Sequence, residues 1–228
     1  MILNSRKYKL VSFDMFQTLA DVNSQKNAVL RQLFGGTYDP QATDQFWKEA
    51  IAFIYSYFHR AGNTNEPFIL TMEVFELCYD QLFPRYGITL SPKEGAQILI
   101  EAHNHSHLYD DAKQVVDNIK ARFETCIISD TDDSMIRDLI KEIGISCVYT
   151  SEAYRSYKFD KSGILFRKAI ADHGIRPDEL LHIGDGSSDV IGAKLVGADT
   201  VWLNRSGAKW DNTVMPDYEI RSLLELIE

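Results

Sequence analysis

Asp14 closes a short apolar run, Tyr-Lys-Leu-Val-Ser-Phe, and is followed by Met-Phe-Gln-Thr, which sets Asp14, Gln17 and Thr18 where a strand gives way to a loop. The pattern returns three times. Ser129 closes Thr-Cys-Ile-Ile; Ser156, Lys158 and Asp160 follow the run 146–150; Asp185 and Asp189 follow the run 180–183 in Gly-Asp-Gly-Ser-Ser-Asp. Open α/β sheets bind ligands beyond the carboxyl ends of their strands, so polar residues directly after strands are the candidates. Any one of them alone is an ordinary turn residue. Four sets in register on successive strand ends are more than turn chemistry needs. Convergent carboxylates repel one another unless a cation lies between them. Asp14, Asp185 and Asp189 offer hard oxygens suited to Mg²⁺, with positions left open for substrate oxygens. Lys158 adds a positive charge that keeps Asp14 ionised and offsets charge in a transition state.

The elements that must position these residues alternate. Residues 8–13, 124–129, 146–150, 180–183 and 200–203 read as strands. Segments 111–121, 134–143, 161–173 and 188–196 read as helices. Short apolar strands alternating with helices imply an α/β fold, a doubly wound and mostly parallel sheet covered on both faces. Between about Val22 and Ile100 the rhythm is purely helical. Phe46, Trp47, Ala50, Ile51, Ile54 and Phe58 recur at three- and four-residue spacing, as do Leu70, Val74, Leu77 and Leu82. Loop signals at Gly35-Gly36, Gly62 to Asn65, Pro84, Gly87 and Ser91-Pro92 divide this block into about four helices. The block is an insertion after the first strand, which predicts a core of 1–20 and 106–228 and a helical cap of 21–105. Its apolar faces read first as the cap's own core.

With 228 residues, the chain suits one domain carrying an insertion. Hydrophobic residues make up 45% and charged residues 25%, enough for a sizeable core and unlike a disordered chain. A net charge of −9 lacks the basic footprint of nucleic-acid or anionic-membrane binders, so neither partner is expected. Cys78, Cys126 and Cys147 are an odd, widely spaced set that suggests free thiols, the last two buried in strand-like runs, rather than disulfides or a zinc site. No secretory-type segment and no 18-residue apolar run is present, which points to the cytoplasm.

Taken in order, the four segments resemble the four motifs of the haloacid dehalogenase-like hydrolase superfamily: Asp14-Met-Phe-Gln-Thr18-Leu, Ser129, Lys158 in Tyr-Arg-Ser-Tyr-Lys-Phe-Asp, and Gly184-Asp185-Gly-Ser-Ser-Asp189. The helical block stands where that superfamily inserts its cap. The resemblance implies a Rossmann-like core and a covalent aspartyl intermediate on Asp14, hydrolysed by water. Ser129 and Thr18 would hydrogen-bond the phosphoryl group or order the loop, and Lys158 would steady nucleophile and phosphoryl oxygens. Mg²⁺ would be held by Asp14, the backbone carbonyl of Phe16, Asp185 and Asp189. One residue departs from the pattern. The superfamily's phosphatases carry a second Asp two residues after the nucleophile, a general acid worth roughly 10²–10⁴-fold in rate; here that position is Phe16. An aromatic residue there resembles the 2-haloacid dehalogenases, whose halide leaves without a proton. Those enzymes, however, use no Mg²⁺ and lack the Gly-Asp pair. The expectation is a Mg²⁺-dependent phosphatase for a small phosphorylated metabolite, monomeric or homodimeric. The alternatives are a carbon–halogen hydrolase, or a weakly active or non-catalytic phospho-ligand-binding protein.

Other polar residues have plainer roles. His103, His105 and His107 alternate as on one face of a strand and read as a solvated hinge; a metal site with Asp110 or Asp111, or a histidine standing in for the missing acid, are the other readings. Arg60 suits a surface salt bridge or a substrate anion. Asp130, Asp132 and Asp133 suit the cap of the following helix, and His182 suits a packed core position. The linkers near 19–23 and 103–110 are where a cap would hinge.

Overall fold

The computed structural model describes residues 2–3, 6–63 and 67–227. Strand β1 (Leu10–Phe13) is fully buried, and a small ladder joins β2 (Ala20–Asp21) to β3 (His107–Leu108) in antiparallel register. Between these two short strands lie four helices: α1 (Lys26–Phe34), α2 (Pro40–Asn63), α3 (Thr71–Tyr86) and α4 (Pro92–Asn104). Afterwards strand and helix alternate: α5 (Ala112–Lys120), β4 (Glu124–Ser129), α6 (Asp133–Ile143), β5 (Val148–Thr150), α7 (Ser151–Tyr154), α8 (Ile164–Asp172), β6 (Leu180–Gly184), α9 (Ser187–Val196), β7 (Asp199–Leu203) and β8 (Tyr218–Ile220).

The main sheet runs β5-β4-β1-β6-β7-β8 with every pairing parallel. Strand alternation sorts its side chains onto two faces. Val11, Phe13, Ile127, Leu181 and Ile183 pack with α5 and α6, whereas Leu10, Cys126, Ile128 and Leu180 pack with α8 and α9. Helix α6 buries Met135, Ile136, Leu139 and Ile143, a one-sided apolar stripe that joins the same core cluster as this face of the sheet. Phe13 pairs with Ile127 on one side and Ile183 on the other, so the three central strands end level. Asp14, Ser129 and Asp185 therefore emerge at one edge.

Several boundaries differ from the sequence pattern. Pro84 lies inside α3, which runs on to Tyr86 and stops at Gly87 in the left-handed conformation at φ +65°. A proline this close to a C-terminus disturbs little of the helix, and glycine supplies the stop. The loop signal at Thr64-Asn65 falls outside the described residues, and α2 continues through Gly62 to Asn63. Helix α4 carries His103 and ends before His105, whereas His107 lies in β3, so the three histidines do not share one face of a strand. A sixth strand, β8, adds an edge that the alternation did not signal. Cys147 is half-buried, unlike the buried Cys78 and Cys126; all three are free. No described helix is long and apolar enough to cross a membrane.

Candidate active site

Asp14 is placed by backbone pairing that outlasts its strand: its N–H donates to the Ile183 carbonyl at 2.9 Å. Its Oδ1 accepts two hydrogen bonds, from Ser129 Oγ at 2.9 Å and from Lys158 Nζ at 2.7 Å. No described residue hydrogen-bonds its Oδ2. Asp14 is thus fixed in orientation with one oxygen free, the arrangement a carboxylate nucleophile requires. The loop that follows turns sharply. Gln17 takes φ +61°, its N–H donates to Ala20 O at 2.7 Å, and Tyr109 Oη donates to its Oε1 at 2.7 Å. A non-glycine residue in the left-handed region costs free energy, and such residues gather at functional loops.

Lys158 bridges Asp14 and Asp189 with a side chain only 4% exposed. Its backbone N–H donates to Asp130 Oδ1 at 2.8 Å, which seats the lysine segment against the end of β4. Asp189 is tied down on every side. His182 Nε2 donates to Oδ1 at 3.0 Å, the Gly186 N–H donates to Oδ2 at 2.9 Å, and Ser12 Oγ lies 2.8 Å from His182 Nδ1. An ionised Asp189 can only accept, so the proton sits on Nε2 and Ser12 donates to Nδ1. A Cβ on Gly184 would lie 2.1 Å from Asp189 Cγ, and one on Gly192 would lie 2.2 Å from the Lys158 carbonyl. These two glycines let the loop and helix close around the acid and the lysine. Trp202 Nε1 donates to the Asp185 carbonyl at 2.9 Å, fixing the backbone that carries the third acid.

One oxygen each of Asp14, Asp185 and Asp189 lies within 4.8 Å of the others. Burial and the neighbouring carboxylates drive Asp185 well above the usual carboxylate range. Asp14 is raised too, by burial and by Asp189, with Lys158 and Ser129 opposing. Asp189 is held low despite its burial because Lys158 and His182 face it. Burial favours a neutral Lys158, yet Asp14, Asp189 and Asp130 together hold its charge above the ordinary lysine value. One lysine against four nearby acids leaves negative charge in excess. Hard oxygens, an Asp14 oxygen that no described residue hydrogen-bonds and an Asp185 crowded by like charges fit a divalent cation such as Mg²⁺.

Above this floor lies a cavity of about 210 Å³. Its walls come mainly from the helical block: Trp47, Ala50, Ile51, Ile54, Phe58 and Phe75 are among the apolar side chains facing it. Phe16 lines it as well, edge-on to the His103 ring at 4.9 Å, and Phe75 stacks on that ring at 5.4 Å. His103 Nδ1 donates to the Leu99 carbonyl at 2.7 Å, and burial pushes its pKa down to about 4, so the ring is neutral at pH 7.

Of the residues singled out in the sequence, Asp14, Ser129, Lys158, Asp185 and Asp189 come together at the floor, and Gln17 and Phe16 line the cavity. Thr18 does not join them. It is fully buried, its hydroxyl has no hydrogen-bond partner among the described residues, and its carbonyl accepts from Arg205 at 3.1 Å. His103 faces the cavity, whereas His105 and His107 are exposed. Arg60 is exposed with its guanidinium over the Tyr57 ring. The Asp132 carboxylate makes no capping hydrogen bond to its own helix. It receives the Thr71 and Met72 N–H groups, both at 2.8 Å, and so caps α3 from across the molecule. Two contributors escaped the sequence pattern, His182 and Asp130. The available signal for His182 was strand alternation, which puts it on the face of Ser12 and α9.

A family model described as haloacid dehalogenase-like hydrolase matches residues 8–197. The chain is similar to the HAD-hydrolase YfnB of Bacillus subtilis, 25% identical over 97% of this chain and 94% of that protein. It superposes on a crystal structure of YfnB bound to magnesium with a TM-score of 0.80 at 21% identity, over 96% of this chain and 97% of the other. Glyceraldehyde 3-phosphate phosphatase of Pyrococcus furiosus is 25% identical over 98% of this chain and 93% of that protein. (S)-2-haloacid dehalogenase 4A of Burkholderia cepacia is 26% identical over 94% and 91%.

Proposed function

The chain belongs to the haloacid dehalogenase-like hydrolase family, and on that premise we propose that it is a Mg²⁺-dependent phosphatase of small phosphorylated molecules working through an aspartyl-phosphate on Asp14. The observation that carries this reading is the set of three carboxylates within 4.8 Å beside an Asp14 oxygen that no described residue hydrogen-bonds. A carbon–halogen bond can be displaced by the carboxylate alone; a doubly negative phosphate cannot approach it without neutralisation. Asp14, the Phe16 carbonyl, Asp185 and Asp189 would hold Mg²⁺, which supplies that neutralisation when bound. Residues 21–105 would form the cap over a core of 1–20 and 106–228. Free cysteines at all three positions support a reducing cytoplasm.

Each residue then has a task. Asp14 Oδ2 attacks phosphorus, Lys158 and Ser129 hold Oδ1 so that the free oxygen stays aimed, and Lys158 offsets the charge that builds on the phosphoryl oxygens. His182 and Ser12 keep Asp189 ionised and in place. Phe16 supplies no proton, so the leaving group departs as an anion or takes its proton from water.

Release of inorganic phosphate from acetyl phosphate or p-nitrophenyl phosphate tests the reading. It should require Mg²⁺, stop with a chelator and vanish in Asp14→Asn. The second reading, a 2-haloacid dehalogenase, is favoured by one observation, the aromatic Phe16 at the cavity wall. Chloride release from 2-chloropropionate that ignores chelator would establish it instead.

A further inference from the structure

The cavity divides sharply between floor and walls. Every acid and the lysine that line it lie on the sheet edge; the described lining from α2, α3 and α4 contains no acid, lysine or arginine. The walls are mainly rings and branched aliphatic side chains, with Trp47, Phe58, Phe75 and Phe16 contributing flat apolar surface and Tyr55, Thr71, Tyr79 and His103 the uncharged polar members. A substrate with a second charged group would be desolvated there with no opposite charge on these walls to offset it, a steep cost. At about 210 Å³ the space is smaller than the usual ligand pocket of roughly 300–1,000 Å³, so one ring beyond the phosphoryl group fits its scale.

The position of Phe16 adds an independent restriction. With no carboxyl group there to protonate the departing oxygen, an alkoxide leaves slowly, whereas a phenolate, with a conjugate acid near pKa 10 as in tyrosine, leaves without help. Resting on the phosphatase reading above, we propose that the substrate is a small, otherwise uncharged aryl phosphate, its phosphoryl group at the acidic floor and its ring against the cap. Asp14 Oδ2 forms a bond to phosphorus as the phosphorus–aryl oxygen bond breaks. The electron pair leaves on the phenolate, which takes a proton from solvent. Water then attacks phosphorus, the Asp14–phosphorus bond breaks, and phosphate and the free carboxylate result.

The test compares kcat/KM for phenyl phosphate, cyclohexyl phosphate and O-phosphoserine in Mg²⁺, and in parallel the calorimetric binding of phenylphosphonate and phosphonoacetate to the same protein. Phenyl phosphate should exceed each of the other esters by at least tenfold, and phenylphosphonate should bind at least tenfold tighter than phosphonoacetate. Ile54→Arg, which puts a cation on the wall, should erase or reverse the preference against the extra carboxylate. Equal or better use of O-phosphoserine, or tighter phosphonoacetate binding, overturns the proposal. Failure of every ester while phenylphosphonate still binds preferentially overturns the phosphatase reading and leaves the cavity's assignment to an aryl anion standing. Failure of both phosphonates to bind overturns that assignment.

Discussion

Replacing Lys158 by methionine removes the one cation that described residues place between Asp14 and Asp189 while keeping most of the side-chain volume. Lys158, Asp14 and Asp189 have side chains 4%, 7% and 3% exposed, so water cannot take over the screening. Removing one partner of a buried ion pair typically costs 3–5 kcal/mol, because the other charge is left uncompensated. For a chain of this length each kcal/mol lowers Tm by about 2–4 °C, so Lys158→Met should melt about 6–20 °C below the parent at pH 7 without metal. Two conditions should shrink the deficit. Mg²⁺ should restore part of it by neutralising the same carboxylates, and lowering the pH towards 5 should do so by protonating Asp14 and Asp185, whose carboxyls already sit above the usual range. Lys158 is held above its ordinary pKa, so its contribution is complete at pH 7 and is lost only at strongly alkaline pH. Differential scanning calorimetry of both proteins at pH 5 and 7, with and without Mg²⁺, reads the four numbers. A deficit below about 1 kcal/mol at pH 7 without metal, or one that Mg²⁺ leaves unchanged, would refute the charge-balance reasoning.

Three further outcomes follow from the same geometry. Phe16→Asp should raise kcat for alkyl phosphates at least tenfold, within the roughly 10²–10⁴-fold that general acid catalysis supplies, and change aryl phosphates far less; steady-state kinetics on the two classes checks it. Gly184→Ala should displace Asp189, since its Cβ would lie 2.1 Å from the Asp189 Cγ; Mg²⁺ affinity by calorimetry should fall at least tenfold, and parental affinity would contradict the placement. Asp185 and Asp14 have raised carboxyls in the folded protein, so the folded state binds protons more tightly than the unfolded one and metal-free stability falls as pH rises above the ordinary carboxylate range. Mg²⁺ binding expels those protons, so its affinity should rise with pH above the ordinary carboxylate range and the slope should flatten in Asp185→Asn.

Much of the core was legible because strand ends and helices carry strong local signals. Apolar runs of four to six residues, each closed by Asp, Ser or Gly, located Asp14, Ser129 and Asp185, and parallel pairing did the rest. Contacts that depend on tertiary juxtaposition were not legible. Asp132 reads as the start of α6, but its carboxylate spends its hydrogen bonds on Thr71 and Met72, sixty residues earlier in the chain. His182 looks like core packing until the turn into α9 brings Asp189 onto its ring. His103, His105 and His107 suit a strand by their spacing, but the first and second also suit the last turn of a helix; the Leu99 carbonyl and the two flanking rings draw His103 into the cavity. The hydroxyl of Thr18 shows the reverse case, a motif position whose side chain the tight loop turns inward. Edge strand β8 gave little signal because Tyr218, Glu219 and Ile220 are too short a run for an alternating pattern to stand out.

The central claim is that Asp14 is transiently phosphorylated and that water then attacks phosphorus. Turnover of phenyl phosphate in ¹⁸O-labelled water, followed by mass spectrometry of the released phosphate and of the proteolytic peptide containing Asp14, separates the chemistries. Attack at phosphorus predicts one heavy oxygen in the phosphate and an unlabelled Asp14 peptide after repeated turnovers. Heavy oxygen accumulating in the Asp14 carboxylate would show hydrolysis at the aspartyl carbon, the course of an alkyl-ester intermediate, and would contradict the account.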